Sequence, residues 1–362
     1  MVRTASARTS GPTLAVVARE AGVSVPTASK VVNGREDVAP ETRRRVVEAL
    51  DRLGYVRRPR FDLARAPRPV DLVMHSLDGS WSGAVLRGVE EAAYDAGLDV
   101  VVSAGPDGSG SGAPGTPGPS RSERGRLDRL VGRGSSGVLL NLPELTATQH
   151  AVLEQHRIPF VMIDPAVEPP PGVVSVGAAN WQGGVTATEH LLRLGHERIA
   201  VVAGRRGGLC DDARVAGYRS ALASAGVPER PEYVRHAGPD REDARRRTRE
   251  LLDLPDPPTA VFVCSDAMTL GAYEALAGRG LTVPDDMSVV GFDDLPEARW
   301  VAPALTTVRQ PFAEMAATAL RLLLRMMDGH RPESTRTELS TRLVERASTA
   351  PPRPSTTCPP GK

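Results

Sequence analysis

Reactive chemistry in this chain would have to come from few side chains, because nucleophiles and metal ligands are sparse. Cys210, Cys264 and Cys358 are widely spaced, odd in number and never form a CxxC pair, so they suggest neither a disulfide framework nor a zinc site. They are expected to be buried or incidental thiols. The sequence has no nucleophile elbow, and no dinucleotide fingerprint that follows a strand and opens a helix. The glycine-rich stretch 105–118 lacks the lysine and the periodicity of a phosphate loop. What remains are groups that can grip polar partners. Arg214 can donate two bonds as a planar fork, and Asp164 and Asp293, each at the end of an apolar run, can each accept two. Trp81 adds an aromatic face, and His75 and Asp78 stand just before it. Such groups can do acid–base chemistry or hold hydroxyls. Each also has a plainer reading: Asp293 as a loop cap, Arg214 as a surface pair, Trp81 as a core or exposed ring.

The elements that must position these groups fall into a head and a body. At 362 residues the chain is long enough for two to three core-bearing units. Residues 1–69 hold 14 Lys plus Arg against 7 Asp plus Glu, whereas the remaining residues hold 31 against 37. Only the head complements a polyanion. Three short helices are expected there. The first runs from Leu14 to Ala21 behind Thr13 as N-cap, and the second from Val25 to Val32 behind Ser24. The third starts at Pro40 and stops at Gly54. Residues 57–69 are basic and broken by prolines, which reads as a linker within a hinge at 55–69.

From Val70 strands and helices alternate in two successive sets, which predicts two α/β lobes with parallel sheets. The expected partition is 70–164 plus 294–310 for lobe 1 and 165–293 plus 311–349 for lobe 2. Gly105–Ser120 reads as a surface insertion, and a Pro/Ser/Thr tail from 350 to 362 is expected to be disordered. No apolar run has the length of a signal or membrane span, so a cytoplasmic protein is expected.

The string Leu14-Ala-Val-Val-Ala-Arg-Glu-Ala-Gly-Val-Ser-Val-Pro-Thr-Ala-Ser-Lys-Val-Val-Asn33 closely resembles the helix-turn-helix that opens LacI-family repressors, and Val38-Ala-Pro-Glu-Thr-Arg continues it. Ala28 departs from the pattern, where the family usually shows Val. In this motif the second helix enters the major groove N-terminus first, which places Val25, Pro26 and Lys30 at base edges. Ser24, Thr27 and Asn33 suit phosphates, and the resemblance adds Ser29 and Thr42 as backbone contacts. It also makes Leu63 the candidate for a leucine inserted into the minor groove. Leu63 lies one residue closer to Tyr55 than the usual spacing, and Pro59, Pro67 and Pro69 flank it.

The resemblance continues through the body in Asn180-Trp-Gln-Gly-Gly184, Leu194-Gly-His-Glu-Arg-Ile-Ala200, Ala213-Arg-Val-Ala-Gly-Tyr218, Ser265-Asp-Ala-Met-Thr-Leu-Gly-Ala272, Val289-Val-Gly-Phe-Asp-Asp294 and Pro303-Ala-Leu-Thr-Thr-Val-Arg-Gln310. It implies a periplasmic-binding-protein-like effector domain whose ligand lies between the lobes, beside the carboxyl ends of the strands. A sugar there would meet Arg214, Asp293, Asp164 and Trp81. The resemblance adds Ser265, Gln310 and Phe312, although Ser265 stands where many relatives carry Asn. Asp266, next to it, is expected instead to lock the helix that follows.

The whole then reads as a three-helix helix-turn-helix domain (1–54) joined to a two-lobed α/β effector domain (70–349). The implied function is an allosteric repressor with operator DNA, a mono- or disaccharide effector and a second copy of itself as partners. No metal, cofactor, membrane or catalytic residue is expected. An enzyme and a sugar-uptake protein are the rival classes. The missing motifs argue against the first, and the head argues against the second.

Overall fold

The computed structural model describes residues 12–32, 34, 35, 37–55, 69–104, 128–238 and 240–353. The chain divides into two compact units, Met1–Pro67 and Arg68–Lys362. Asn33, Leu63 and the insertion 105–120 lie outside the described residues, as do 354–362 of the tail.

In the first unit α1 (Leu14–Glu20), α2 (Val25–Val32) and α3 (Pro40–Leu53) enclose Val17, Ala18, Ala28, Val31, Val46 and Ala49. Ala28, the departure from the family pattern, is fully buried in this core. Thr13 holds the N-cap position of α1, but its hydroxyl makes no capping bond. The Ser24 hydroxyl does cap, accepting from the Thr27 amide at 3.3 Å. Gly54 ends α3 with φ +58°, a left-handed turn that glycine makes at least cost.

The second unit contains two six-stranded sheets. In the first, β1 (Val70–Met74), β2 (Val100–Ala104), β3 (Gly137–Asn141), β4 (Phe160–Ile163), β5 (Ser175–Ala178) and β11 (Arg336–Leu339) run in the order β11-β5-β4-β3-β1-β2, all parallel. Helices α4 (Gly79–Asp95) and α11 (Phe312–Met327) cover one face, and α5 (Ala147–Gln155) covers the other. The second sheet holds β6 (Ile199–Ala203), β7 (Val234–His236), β8 (Ala260–Val263), β9 (Ser288–Asp293), β10 (Thr306–Arg309) and β12 (Arg342–Val344), ordered β12-β10-β9-β8-β6-β7. Here α6 (Asn180–Arg193) and α7 (Leu209–Ser224) cover one face, and α8 (Arg241–Leu252) and α9 (Asp266–Ala277) the other. Among the described residues only the edge pair β10–β12 is antiparallel. A short helix, α10 (Glu297–Trp300), follows β9.

The lobes partition differently from the expected ranges. Strand β5 and helix α11 belong to the first sheet, and β10 to the second, so the chain crosses after Ala178, after Arg309 and after Leu339. Alternation of strands and helices reports the elements, and it stays unbroken when a chain changes sheet. The stretch Glu338–Val344 is likewise divided between β11 and β12, in two sheets. Residues 350–353, expected to open a disordered tail, are instead held in place. The Ala350 amide donates to the Ser288 hydroxyl at 3.0 Å, and Arg353 pairs with Asp286.

Candidate functional site

Both sheets are doubly wound, and in such sheets ligands gather at the carboxyl ends of strands where the winding reverses. In the first lobe the reversal lies between β1, which leads into His75, and β3, which ends at Asn141. In the second it lies between β6 and β8, which lead into Gly204 and Cys264. The sequence-selected groups follow this geometry. Asp164 stands just after β4, Ser265 after β8 and Gln310 after β10, while Asp293 closes β9. Among the described residues four non-glycines have positive φ, and three of them are Asp164 (+51°), Asp293 (+115°) and Asp294 (+57°). Such backbone is costly for a side-chain-bearing residue and gathers at functional sites.

Arg214 is placed by close backbone packing. Helices α6 and α7 approach so tightly that a Cβ on Gly184 would lie 2.2 Å from the Arg214 carbonyl oxygen, and one on Gly217 would lie 2.1 Å from that of Trp181. Only glycine fits at either position. The Gly204 amide donates to Asp211 at 2.8 Å and anchors the start of α7. The Leu209 amide, on the same turn, donates across to Ala166 of the first lobe at 2.7 Å. The guanidinium is buried and hydrogen-bonded through two of its three nitrogens. Its Nε donates to Asn180 Oδ1 at 2.8 Å and one terminal nitrogen to the Cys264 carbonyl at 2.5 Å. The other terminal nitrogen lies 3.9 Å from Asp293 Oδ1, and the ring of Phe292 lies 3.7 Å beneath. Gly183 leaves room for that ring, since a Cβ there would meet it at 2.6 Å.

Asp293 accepts from Gln310 Nε2 at 2.6 Å, and the buried Gln310 Oε1 is left without a partner. Burial pushes the Asp293 carboxyl up to about 7, although Arg214 and Gln310 pull the other way. Burial works against the Arg214 charge, but Asp293 together with the smaller contributions of Cys210, Asp211 and Cys264 outweighs it and holds the guanidinium more firmly protonated than usual. Asp164 is raised by burial, against the nearby Arg214 charge and hydrogen bonds from Cys210 and Trp81. These groups therefore form one electrostatic cluster spanning both lobes, with Asp164 and Trp81 on one side and Arg214 and Asp293 on the other.

Phe312, the first residue of α11, borders a depression shared with Asp293 and Gln310. The Ser265 hydroxyl accepts from the Met268 amide at 3.2 Å and caps α9. Asp266 is fully buried and accepts from the Thr307 hydroxyl at 2.7 Å and the Leu295 amide at 2.8 Å, which locks α9 to β10. His75 is half-buried and bonds through its backbone to Asn141 at 3.0 Å, whereas Asp78 is exposed and accepts from Ser76.

Sequence reasoning assigned no role to Asn180, Phe292 or Asn141. Asn180 and Phe292 hold the guanidinium, and Asn141 lies between His75 and Asp164 with its Oδ1 buried and unpartnered. An Asn closing the apolar run Gly137-Val-Leu-Leu was the available signal, because buried parallel strands are otherwise nearly all apolar.

In the head, Val25 is 44% exposed and Pro26 and Lys30 are exposed on the same helix whose Ala28 and Val31 face the core. Ser24 is exposed and bonds to the Thr27 hydroxyl at 2.8 Å, while Thr27, Ser29 and Thr42 are half-buried. Lys30 Nζ bonds to Asp37 Oδ2 at 2.7 Å.

Residues 13–58 match the model of bacterial regulatory proteins of the lacI family, and residues 188–349 match a periplasmic binding protein-like domain. The HTH-type transcriptional regulator CelR of Thermobifida fusca is 34% identical over 347 residues, covering 93% of this chain and 98% of the relative. The chain belongs to the lacI family. This lacI-family protein is accordingly a DNA-binding transcriptional regulator. Its fold matches a transcriptional regulator CelR–cellobiose complex with TM-score 0.67 at 34% identity, over 93% of this chain and 99% of that one. It also matches a lac repressor dimer bound to operator and the anti-inducer ONPF with TM-score 0.73 at 28% identity, over 94% and 100%. Among the described residues of this regulator no helix is long and apolar enough to cross a membrane, and no group of acidic, His and Cys side chains could hold a metal ion.

Proposed function

We propose that this regulator is a cytoplasmic homodimeric repressor whose hold on operator DNA is set by a sugar bound between its two lobes. The observation that carries the reading is the Arg214 clamp. A buried guanidinium fixed by Asn180, Cys264 and Phe292 is set beside Asp293, with Asp164 close enough to feel its charge. Fixed donors and acceptors of this kind suit vicinal hydroxyls, which need bidentate partners. Trp81 and Phe312 supply apolar faces, and Gln310 and Asn141 each keep a free buried oxygen that a hydroxyl can satisfy. Ser265 shapes the wall through its cap.

Because three crossings join the lobes, closure on a ligand changes the angle between them, and a ligand that favours one angle shifts DNA affinity. In the head Val25, Pro26 and Lys30 meet base edges, and Ser24, Thr27, Ser29, Asn33 and Thr42 hold phosphates. Leu63 enters the minor groove. Two copies read two half-sites. The Cys210 thiol is pushed up by burial and by Asp164, which makes it a poor nucleophile and favours binding over covalent chemistry there.

A thermal-shift screen of mono- and disaccharides, cellobiose included, tests the reading, since a ligand selective for the folded state raises apparent stability. A sugar that stabilises the body and changes operator affinity is the expected result. A panel with no stabilising sugar, or one that is hydrolysed, would overturn it.

A further inference from the structure

The head holds an acidic residue where a DNA-reading surface should be basic. Asp37 lies in the segment between α2 and α3, and its carboxylate takes the ammonium of Lys30, on the last turn of α2, at 2.7 Å. Lys30 is one of only two lysines in the sequence. Several other described cations of the head have other partners: Arg45 donates to the Gly22 carbonyl, Arg52 pairs with Glu20, and Arg44 with Glu41 and Glu48. Arg43 donates to the Arg35 carbonyl, and its charge also reaches Asp37.

We propose that Asp37 is a specificity-determining residue: it holds Lys30 in a pose that reaches a guanine edge and keeps it off the phosphates of unrelated sequence. This rests on the reading that Lys30 meets base edges. An ammonium has three donors and no acceptor. With one donor on Asp37, two remain for guanine O6 and N7, which are neutral acceptors and tolerate the nearby carboxylate. A phosphate does not. To reach one, Lys30 must leave Asp37 or bring two anions together, so Asp37 weakens the sequence-blind contacts that dominate non-specific binding. The pair also restricts a flexible four-carbon stem and lowers the ordering cost of reading a base. Both side chains are more than half exposed, at 51% and 58%, so the pair stays exchangeable and its effect is modest.

The test uses the full chain and a library of randomised duplexes. The sequence enriched by wild type is compared with a scrambled duplex of the same composition, for wild type, Asp37→Asn, Lys30→Ala and the double variant. Asp37→Asn is expected to tighten binding to the scrambled duplex about two- to fivefold and to the enriched one by less, so that the preference falls. Its salt dependence should steepen on the scrambled duplex alone, and Lys30→Ala should erase both effects. Equal tightening on both duplexes would reduce Asp37 to bulk charge. Weaker binding to both with a lower melting temperature would make the pair a loop brace. Either result overturns the proposal. If Lys30→Ala leaves the enriched sequence unchanged, the base-reading role of Lys30 fails, and this inference fails with it.

Discussion

Charge is used in opposite ways by the DNA-reading head and by the cleft of the body. In the head the ion pairs are exposed: Lys30–Asp37 at 51% and 58%, Arg52–Glu20 at 64% and 42%. In the body Arg214 and Asp293 keep only 7% and 6% of their side-chain surface. Exposed pairs contribute little and exchange readily, so head cations can trade carboxylates for phosphates and bases. A buried guanidinium is costly to leave unpaired and therefore arrives pre-oriented. The head is built to change partners, and the body to hold a fixed geometry until a ligand completes it.

The largest effect should come from separating the units. Deleting residues 1–54 is expected to abolish DNA binding in a gel-shift assay while leaving the melting transition of the body in place. Loss of that transition would show that the two units share one stability.

Breaking the fixed geometry comes next. Gly184→Val forces α7 away from α6 and should lower body stability by about 1–3 kcal/mol, with the head transition unchanged. Denaturant melts of the variant read both. On the head side, Lys30→Ala should cost about 1–3 kcal/mol on the best operator and relax preference at one base pair. Uniform weakening across sequences would reassign Lys30 to a phosphate.

The smallest effect is in pH, where the units should differ in sign. Asp293, raised to about 7, binds a proton in the folded body that it releases in the unfolded chain above its ordinary 3.8. Its contribution to body stability is present at low pH and falls as pH rises from about 4 to 7, by at most about 1.4 kcal/mol per unit. Buried Asp164 and Asp266 act in the same direction, whereas buried His190 and His196, both lowered, oppose it below the ordinary 6.5. Asp37 in the head is lowered by Lys30, so its contribution is present above the ordinary carboxylate range and lost on acidification. Asp293→Asn should flatten the body's slope in thermal melts between pH 4 and 7; an unchanged slope would place the titrating group elsewhere.

Local signals made the head legible. Caps, a glycine stop and apolar spacing set α2 at Val25–Val32 and the start of α3 at Pro40, because short helices depend on sequence neighbours. The body was legible as elements and not as lobes, since sheet membership of β5, β10 and α11 depends on pairing between distant segments. The same distinction runs through the cleft. Asp164 and Asp293 could be found at strand ends, and Gln310 through the family resemblance. Asn180 and Phe292, which hold Arg214, have no such mark: their role exists only because Gly183 and Gly184 let α6 lie against β9 and α7.

The central claim is that the Arg214 clamp couples effector occupancy to DNA affinity, and titrating operator-bound wild type and Arg214→Ala with the sugar found by thermal shift tests it directly. Loss of charged hydrogen bonds worth roughly 1.5–3 kcal/mol each should move the sugar midpoint about tenfold to several-hundredfold higher. Operator affinity without sugar should stay close to wild type. An unchanged midpoint for Arg214→Ala would contradict the account and remove Arg214 from the site.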